Sequence, residues 1–169
     1  IRFVGPSVLG SSVAMDKELT RRSLRDAGIG HAKGITFYKH ESAKISYKET
    51  IKELGTLLFV KPCNMGSSVG VSRATNEAEF KNAIEEAFKF DNKVLVEQAV
   101  IGRELECAVL GNELIEASTV GEIVMQKGFY DFENKYKNDN AIITIPANNL
   151  TENQLTKIKE TARKAYHAL

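Results

Sequence analysis

Apolar positions along this chain switch repeatedly between the period of a strand and the period of a helix. Short apolar runs predict strands at AKGITFY (32–38), TLLFVKP (56–62), KVLVEQ (93–98), GEIVM (121–125) and AIITIP (141–146). The opening IRFVG is also strand-like. Helices are expected between them. One is predicted to start at Asp16 as N-cap, carry Leu19, Leu24 and Ala27, and stop at Gly28. ISYKETIKEL (45–54) reads as a short helix ended by Gly55. The clearest helix runs from Asn76 to Phe90. Its Phe80, Ala83, Ile84, Ala87 and Phe88 fall on one face, and Asn76 with Glu79 resembles a capping box.

Thr151 and Gln154 repeat the capping-box pattern, and Leu155, Ile158, Ala162 and Ala165 carry a helical face to the last residue. RELECAVLG (103–111) and ELIEAST (113–119) flank Gly111-Asn112, a hairpin turn signal. The stretch from Gln126 to Asn140 is polar, charged and aromatic, and reads as a long loop with the character of a lid. Strands alternating with helices place the chain in the α/β or α+β class. Sheet content changes near Val100, which divides the chain into a lobe at 1–100 and part of a second at 101–169.

Composition narrows the function classes. Of 169 residues, 43% are hydrophobic and 27% charged, an ordinary globular balance. Lys plus Arg total 23 against 22 Asp plus Glu, a net charge of +1, so no global field favours nucleic acid or an anionic membrane. Any anion must be held by a local site. Cys63 and Cys107 form no CxxC or Cys/His cluster, which suits a reduced, cytoplasmic protein. No apolar run reaches the roughly 18 residues of a membrane span, and no signal-peptide pattern opens the chain. Both ends read as cut: the first residue is Ile1, and Leu169 lies inside a helical pattern.

Four segments could carry chemistry. FVKPCNMGSSVGVS (59–72) delivers Lys61 on a strand into a turn with Gly66, Gly70, Ser67 and Ser68. Backbone N–H groups and hydroxyls in such a turn suit an anion, and Lys61 supplies a point charge for phosphate. It is not a Walker loop, since no Lys-Ser or Lys-Thr follows the second glycine. An ordinary Gly/Ser turn with solvated Lys61 explains it equally well. VLVEQAVIGRELE (94–106) takes a buried strand into Glu97-Gln98-Ala99-Val100 and on to Glu104. A strand end can show N–H and C=O groups to a purine edge and a carboxylate to a ribose, though solvent-facing acids are the commoner explanation. FYDFENKY (129–136) has the aromatics and polar tips of a closing loop, or of a loop anchored to a core. Lys17, in the first turn of a helix, opposes the helix dipole and helps only where an anion lies near; a surface lysine is the simpler account.

Taken in order, VGPSVLGSSVAMDK, FVKPCNMGSSVGVS, KVLVEQAVIGRELECAVLG, GEIV, FYDFENKY and IPA resemble the D-alanine–D-alanine ligases of the ATP-grasp type over nearly the whole chain. The resemblance implies an α+β, ATP-grasp fold of two α+β lobes, with 1–100 as the small (central) lobe and 101–169 as part of an incomplete large lobe. It implies ATP-dependent joining of two D-alanines through an acyl phosphate, for peptidoglycan precursor synthesis. Ser67 and Tyr136 match catalytic positions. Lys17, Lys61, Ser68, Glu97, Gln98, Ala99, Val100, Glu104, Phe129 and Lys135 match ATP-binding positions. Ala99 departs from the bulky aromatic common there. Tyr136 matches the dipeptide-forming enzymes.

The resemblance further implies magnesium or manganese, with ligands beyond Leu169 and none in this chain, and a cytoplasmic homodimer with no nucleic-acid or membrane partner. The first D-alanine's groups from an N-terminal lobe are also without a counterpart, so the chain is expected to be a fragment that is inactive alone. Two alternatives stand beside this reading: a ligase using D-lactate or D-serine as acceptor, and a nucleotide-binding module without catalysis.

Overall fold

The computed structural model describes residues 4–125 and 141–169. Contacts divide the chain into two compact units. One comprises the residues up to Arg22 with Gly30–Val100; the other comprises Ser23–Ile29 with Ile101–Leu169.

The first unit is built on a four-stranded antiparallel sheet. Its elements are α1 (Val8–Met15), α2 (Lys17–Asp26, of which the residues from Ser23 on count with the other unit), β1 (Gly34–Tyr38), a 3-10 helix (Lys39–Lys44), α3 (Tyr47–Leu54), β2 (Leu58–Pro62), β3 (Ser72–Ala74), α4 (Glu77–Phe90) and β4 (Lys93–Gln98). The strand order is β1-β4-β2-β3. Alternation along the strands sends Leu58, Val60, Val94 and Val96 to one face, where they meet Phe80, Ala83, Ile84, Ala87 and Phe88 of α4 in a buried core. Those α4 positions are the apolar stripe expected from the sequence. The opposite face of β2 and β4 carries Phe59, Lys61, Lys93, Leu95 and Glu97.

The local signals act as their chemistry dictates. Asp16 accepts the N–H groups of Glu18 and Leu19 and so caps α2. Gly28, past the end of that helix, has a φ of +66°. Ser46 caps α3 and Asn76 caps α4. Glu79 reaches back one residue further than a capping box requires: its carboxylate accepts from the N–H and hydroxyl of Thr75 at 2.7 and 2.8 Å.

The second unit contains β5 (Glu104–Glu106), β6 (Val109–Gly111), β7 (Ile115–Ala117), β8 (Gly121–Met125), β9 (Ala141–Thr144) and a terminal helix, here α5 (Glu152–Ala168). The strands form a three-stranded sheet, β5-β8-β9, and a separate β6-β7 hairpin. Arg103 binds Glu122 through two bonds of 2.7 Å and also donates to the carbonyls of Asn148 and Asn149, tying the turn before α5 to β8. The Thr151–Gln154 capping box is present. The face of α5 holding Leu155, Ile158, Ala162 and Ala165 is half-buried. Tyr166 donates to the Gly111 carbonyl at 2.7 Å, fastening α5 to the hairpin.

The structure departs from the sequence reading in four places. RELECAVLG is not one strand: it breaks after Glu106, and its halves join different sheets. Around the break, Ala108 N–H bonds the Ser118 hydroxyl while Ser118 N–H bonds the Ala108 carbonyl. The hairpin turns through Asn112–Leu114 rather than at Gly111-Asn112; Gly111 ends its strand at φ +142°, where a Cβ would meet the Leu114 carbonyl oxygen at 2.0 Å. Helix α1 has no counterpart in the periodicity, because VLGSSVAM offers small and apolar residues with no charged face to set against them. Val4 and Gly5 form a bend, not the strand suggested by IRFVG; Ile1–Phe3 lie outside the described residues.

Candidate functional site

Strand β2 ends in a turn that three elements converge upon. Lys61, next to last in β2, sits diagonally from Glu97 because Phe59 and Glu97 are direct partners in the ladder. Its ammonium contacts Glu97 Oε2 at 2.6 Å. The lysine is about a quarter exposed and the carboxylate half as much, so the pair is shielded yet reachable. Lys61 Nζ also lies 5.8 Å from the centre of the Phe59 ring.

Lys17 approaches from the first turn of α2. Its backbone N–H bonds the Cys63 carbonyl at 3.1 Å. Its ammonium reaches the same carbonyl at 3.4 Å and also donates to the carbonyl of Met65. Burial lowers the Lys17 pKa from the usual lysine value, and the charge of Lys61 pulls it the same way. Two cations therefore oppose each other near the end of β2: Lys17, partly desolvated on the Cys63–Met65 turn, and Lys61 on the strand that enters it. An anion seated there would relieve both costs.

The turn is pinned and tightly wound. Asp91 accepts from the backbone and side-chain N–H groups of Asn64 at 2.8 and 2.9 Å. Beyond it, Val69 N–H bonds Gly66 and Val71 N–H bonds Ser68. Ser67 and Ser68 both take left-handed backbone at φ 50° and 60°, which non-glycine residues seldom adopt. The two glycines differ. Gly70 is required by packing: at φ +69° its Cβ would lie 2.7 Å from Phe90 Cδ2 and 2.8 Å from Pro62 Cγ. A Cβ at Gly66 would meet nothing within 4 Å. Only Gly66 is thus left with the open approach expected of both.

At the end of β4, the N–H groups of Gln98 and Ala99 bond the carbonyls of Lys33 and Leu57, each at 3.0 Å. Ala99 is half-buried and Val100 exposed. In the first unit Lys61 and Glu97 thus share one face of the sheet, with Lys17 and the Ser67–Ser68 turn toward its Pro62 end and Gln98 at the other end, paired with Leu58. Glu104 belongs to the second unit, exposed on β5 opposite Ile123. Phe129, Lys135 and Tyr136 lie outside the described residues.

Sequence reasoning named Asp16 only as a helix cap and missed Glu18, Lys93 and Arg21. Asp16 and Glu18 are buried and face Lys93 of β4. Arg21 faces the second oxygen of Glu97, Nε to Oε1 at 3.4 Å. A signal for Arg21 was available: it lies one helical turn after Lys17, hence on the same face of α2. Among the described residues, no group of three His, Cys, Asp or Glu side chains could hold a metal ion. No helix among them is long and apolar enough to cross a membrane.

Comparison with known proteins gives a consistent set of likenesses. The family model for the D-ala D-ala ligase C-terminus matches residues 23–169. The chain is 51% identical over 168 residues to the D-alanine–D-alanine ligase of Shouchella clausii, an alignment covering 99% of this chain and 45% of that enzyme. It is 47% identical over 169 residues to the D-alanine–D-alanine ligase of Proteus mirabilis, covering 99% of this chain and 46% of the relative. The chain thus spans about half the length of the curated relatives it matches. Among solved structures, the VanG D-Ala:D-Ser ligase from Enterococcus faecalis superposes with a TM-score of 0.87 at 34% identity, over 99% of this chain and 48% of that one. The α+β architecture is that of the ATP-grasp ligases, and the chain belongs to the D-alanine–D-alanine ligase C-terminal family.

Proposed function

We propose that this chain carries the nucleotide phosphate site of an ATP-dependent ligase that joins two D-alanines for peptidoglycan precursor synthesis. The observation that carries the reading is the placement of the Lys17 ammonium on the turn that leads into Ser67 and Ser68, close enough to Lys61, on the strand entering that turn, for the two charges to oppose each other. In this reading the two ammonium groups neutralise ATP phosphates, and the Ser68 hydroxyl and the backbone near Gly66 add donors. Glu97, Gln98, Ala99 and Val100 border the purine. Because the N–H groups of Gln98 and Ala99 are already bonded, the Val100 N–H is the backbone donor for the purine edge. Glu104 binds the ribose, and Phe129 and Lys135 complete the nucleotide pocket.

The reaction follows from that placement. The γ-phosphoryl group passes to the carboxylate of the first D-alanine, giving an acyl phosphate and ADP. The amine of the second D-alanine attacks the activated carbonyl, and phosphate leaves with the bond that closes the dipeptide. Charge stabilisation by fixed cations and alignment of the reactants supply most of the catalysis. Ser67 and Tyr136 act at the reacting end. Magnesium or manganese belongs to this chemistry in general, but the described residues offer no cluster that fits an ion, so no step is assigned through one.

Residues 1–100 correspond in this reading to the small (central) lobe and 101–169 to part of the large lobe. The whole enzyme works in the cytoplasm, as a homodimer. D-Serine is a second acceptor to test, because of the likeness to the D-Ala:D-Ser ligase. The experiment is phosphate release by the whole enzyme from ATP with D-alanine alone and with D-serine or D-lactate in competition, for wild type and Lys61→Ala. D-Alanine-dependent release that falls at least tenfold in the variant is expected. Release independent of D-alanine would overturn the reading.

A further inference from the structure

Glu97 places one negative charge between two cations. Lys61 Nζ holds Oε2 at 2.6 Å, and Arg21 Nε stands 3.4 Å from Oε1. The Arg21 side chain is 17% exposed and that of Glu97 13%, so neither charge is freely solvated. Arg21 is anchored elsewhere: its terminal nitrogens donate to the carbonyl of Ala32 at 3.1 Å and to that of Gly34 at 3.4 and 3.5 Å. Its buried Nε makes no hydrogen bond among the described residues. What Arg21 presents to Glu97 is therefore charge rather than a directed bond.

The sheet is shaped to admit it. Gly34 is the β1 partner of Glu97. A Cβ there would lie 3.1 Å from Arg21 Nη1, 3.0 Å from Glu97 Cγ and 2.8 Å from the Val96 carbonyl oxygen. A side chain at 34 would press first on the Val96 carbonyl oxygen, and Arg21 and Glu97 would have to shift to make room for it. The glycine is not there for its backbone freedom, since its φ is not positive.

We infer that Arg21 is a positioning residue for Lys61, and this rests on the ATP reading above. A shielded carboxylate with a single cationic partner holds that partner strongly, because separating them leaves an uncompensated buried charge. If Glu97 had only Lys61, turning the ammonium toward a polyphosphate would strand the carboxylate. Arg21 supplies a permanent second cation, held by backbone carbonyls that do not change when nucleotide binds. Lys61 is then free to exchange Glu97 for phosphate oxygens while Glu97 stays balanced. The role requires a positive charge at 21, not the full fork of an arginine.

The test is a double-mutant cycle on the intact protein, with ATP affinity read by calorimetry. Arg21→Met is expected to weaken ATP at least fivefold, Lys61→Met at least tenfold, and the double variant no more than Lys61→Met alone, because Arg21 acts through Lys61. Arg21→Lys should bind ATP within about threefold of wild type by keeping the charge. Thermal unfolding of each variant identifies one that has failed to fold, and Arg21→Lys then decides the matter. Full loss in Arg21→Lys overturns the inference, since the fork rather than the charge would matter. An Arg21→Met effect that persists undiminished in the Lys61→Met background, or no effect at all, also overturns it. Unchanged affinity in Lys61→Met overturns the ATP reading itself, and this inference with it.

Discussion

Lys93 and Asp16, separated by 77 residues in sequence, form an ion pair that holds the start of α2 against β4. The other oxygen of Asp16 caps the helix, accepting from Glu18 and Leu19 N–H at 3.0 and 3.1 Å. One side chain thereby fixes the position of Lys17, the next residue. Asp16→Ala removes both functions and leaves Lys93 with only Glu18, 3.9 Å away. A loss of about 2–4 kcal/mol is expected from the cap and the shielded pair together. Asp16→Asn, which keeps the cap, should lose less. Burial pushes the Asp16 carboxyl up, but Lys93 and the two N–H donors outweigh it and hold it below its ordinary value of 3.8. A lowered pKa contributes stability above the ordinary value and loses it as pH falls through the lowered one. In urea titrations the gap between wild type and Asp16→Asn should be level near neutral pH and shrink below 3.8. A gap that widens on acidification would count against this account.

Gly70 and Gly66 separate packing from function within one turn. Gly70→Ala forces a Cβ against Phe90 and Pro62 at a left-handed φ. Phe90 is partly exposed and can yield, but Pro62 is buried in β2. A cost of about 1–3 kcal/mol is expected. Gly66→Ala, which meets open space, should stay within about 0.5 kcal/mol in stability. Equal losses in chemical denaturation would show that the turn is not wound as described.

Cys63 should be chemically silent in the native protein. It is fully buried, and burial pushes its thiol pKa to about 12, with Asp16 and Asp91 adding to the rise. The thiolate needed for alkylation is then nearly absent at neutral pH. Iodoacetamide labelling followed by mass spectrometry should modify Cys107, which is half-buried, well before Cys63. Comparable rates at the two positions without denaturant would refute this.

Apart from α1 and the 3-10 helix, the main helices and strands of the first unit were legible in the sequence because their signals are local. Asn76 caps α4, and its five apolar positions fall on one face whatever the rest of the chain does. The same holds for the Thr151–Gln154 box. What could not be read were choices made at a distance. RELECAVLG splits between two sheets because the partner of each half lies further along the chain, at β8 and β7, and alternation within the segment does not name a partner. Lys61 was legible as a strand-end cation, but its pairing with Glu97 depends on the β2-β4 register. Arg21 required both that register and the empty place at Gly34. KELTRRSLRD sets Arg21 one turn after Lys17, but nothing in it names Glu97 as the partner.

Lys17 should be costly to the fold and valuable to the ligand. Its ammonium is partly desolvated and lies near Lys61, which lowers its pKa from 10.5. A lysine so shifted gives up its proton more readily folded than unfolded, so its charged form adds no net stability. Stability linked to it rises as pH climbs from the lowered value to 10.5. Lys17→Met should therefore change stability by no more than about 1 kcal/mol, since the Cys63 carbonyl keeps the residue-17 backbone N–H. ATP affinity should fall at least tenfold with loss of a charge-assisted contact. Binding a polyanion must also raise the Lys17 pKa back toward the ordinary value. At alkaline pH within that window, ATP binding should draw in a proton, seen as a binding enthalpy that depends on the ionisation enthalpy of the buffer. That dependence should disappear in Lys17→Met. Unchanged ATP affinity in the variant, or the same proton uptake, would place the phosphates away from Lys17.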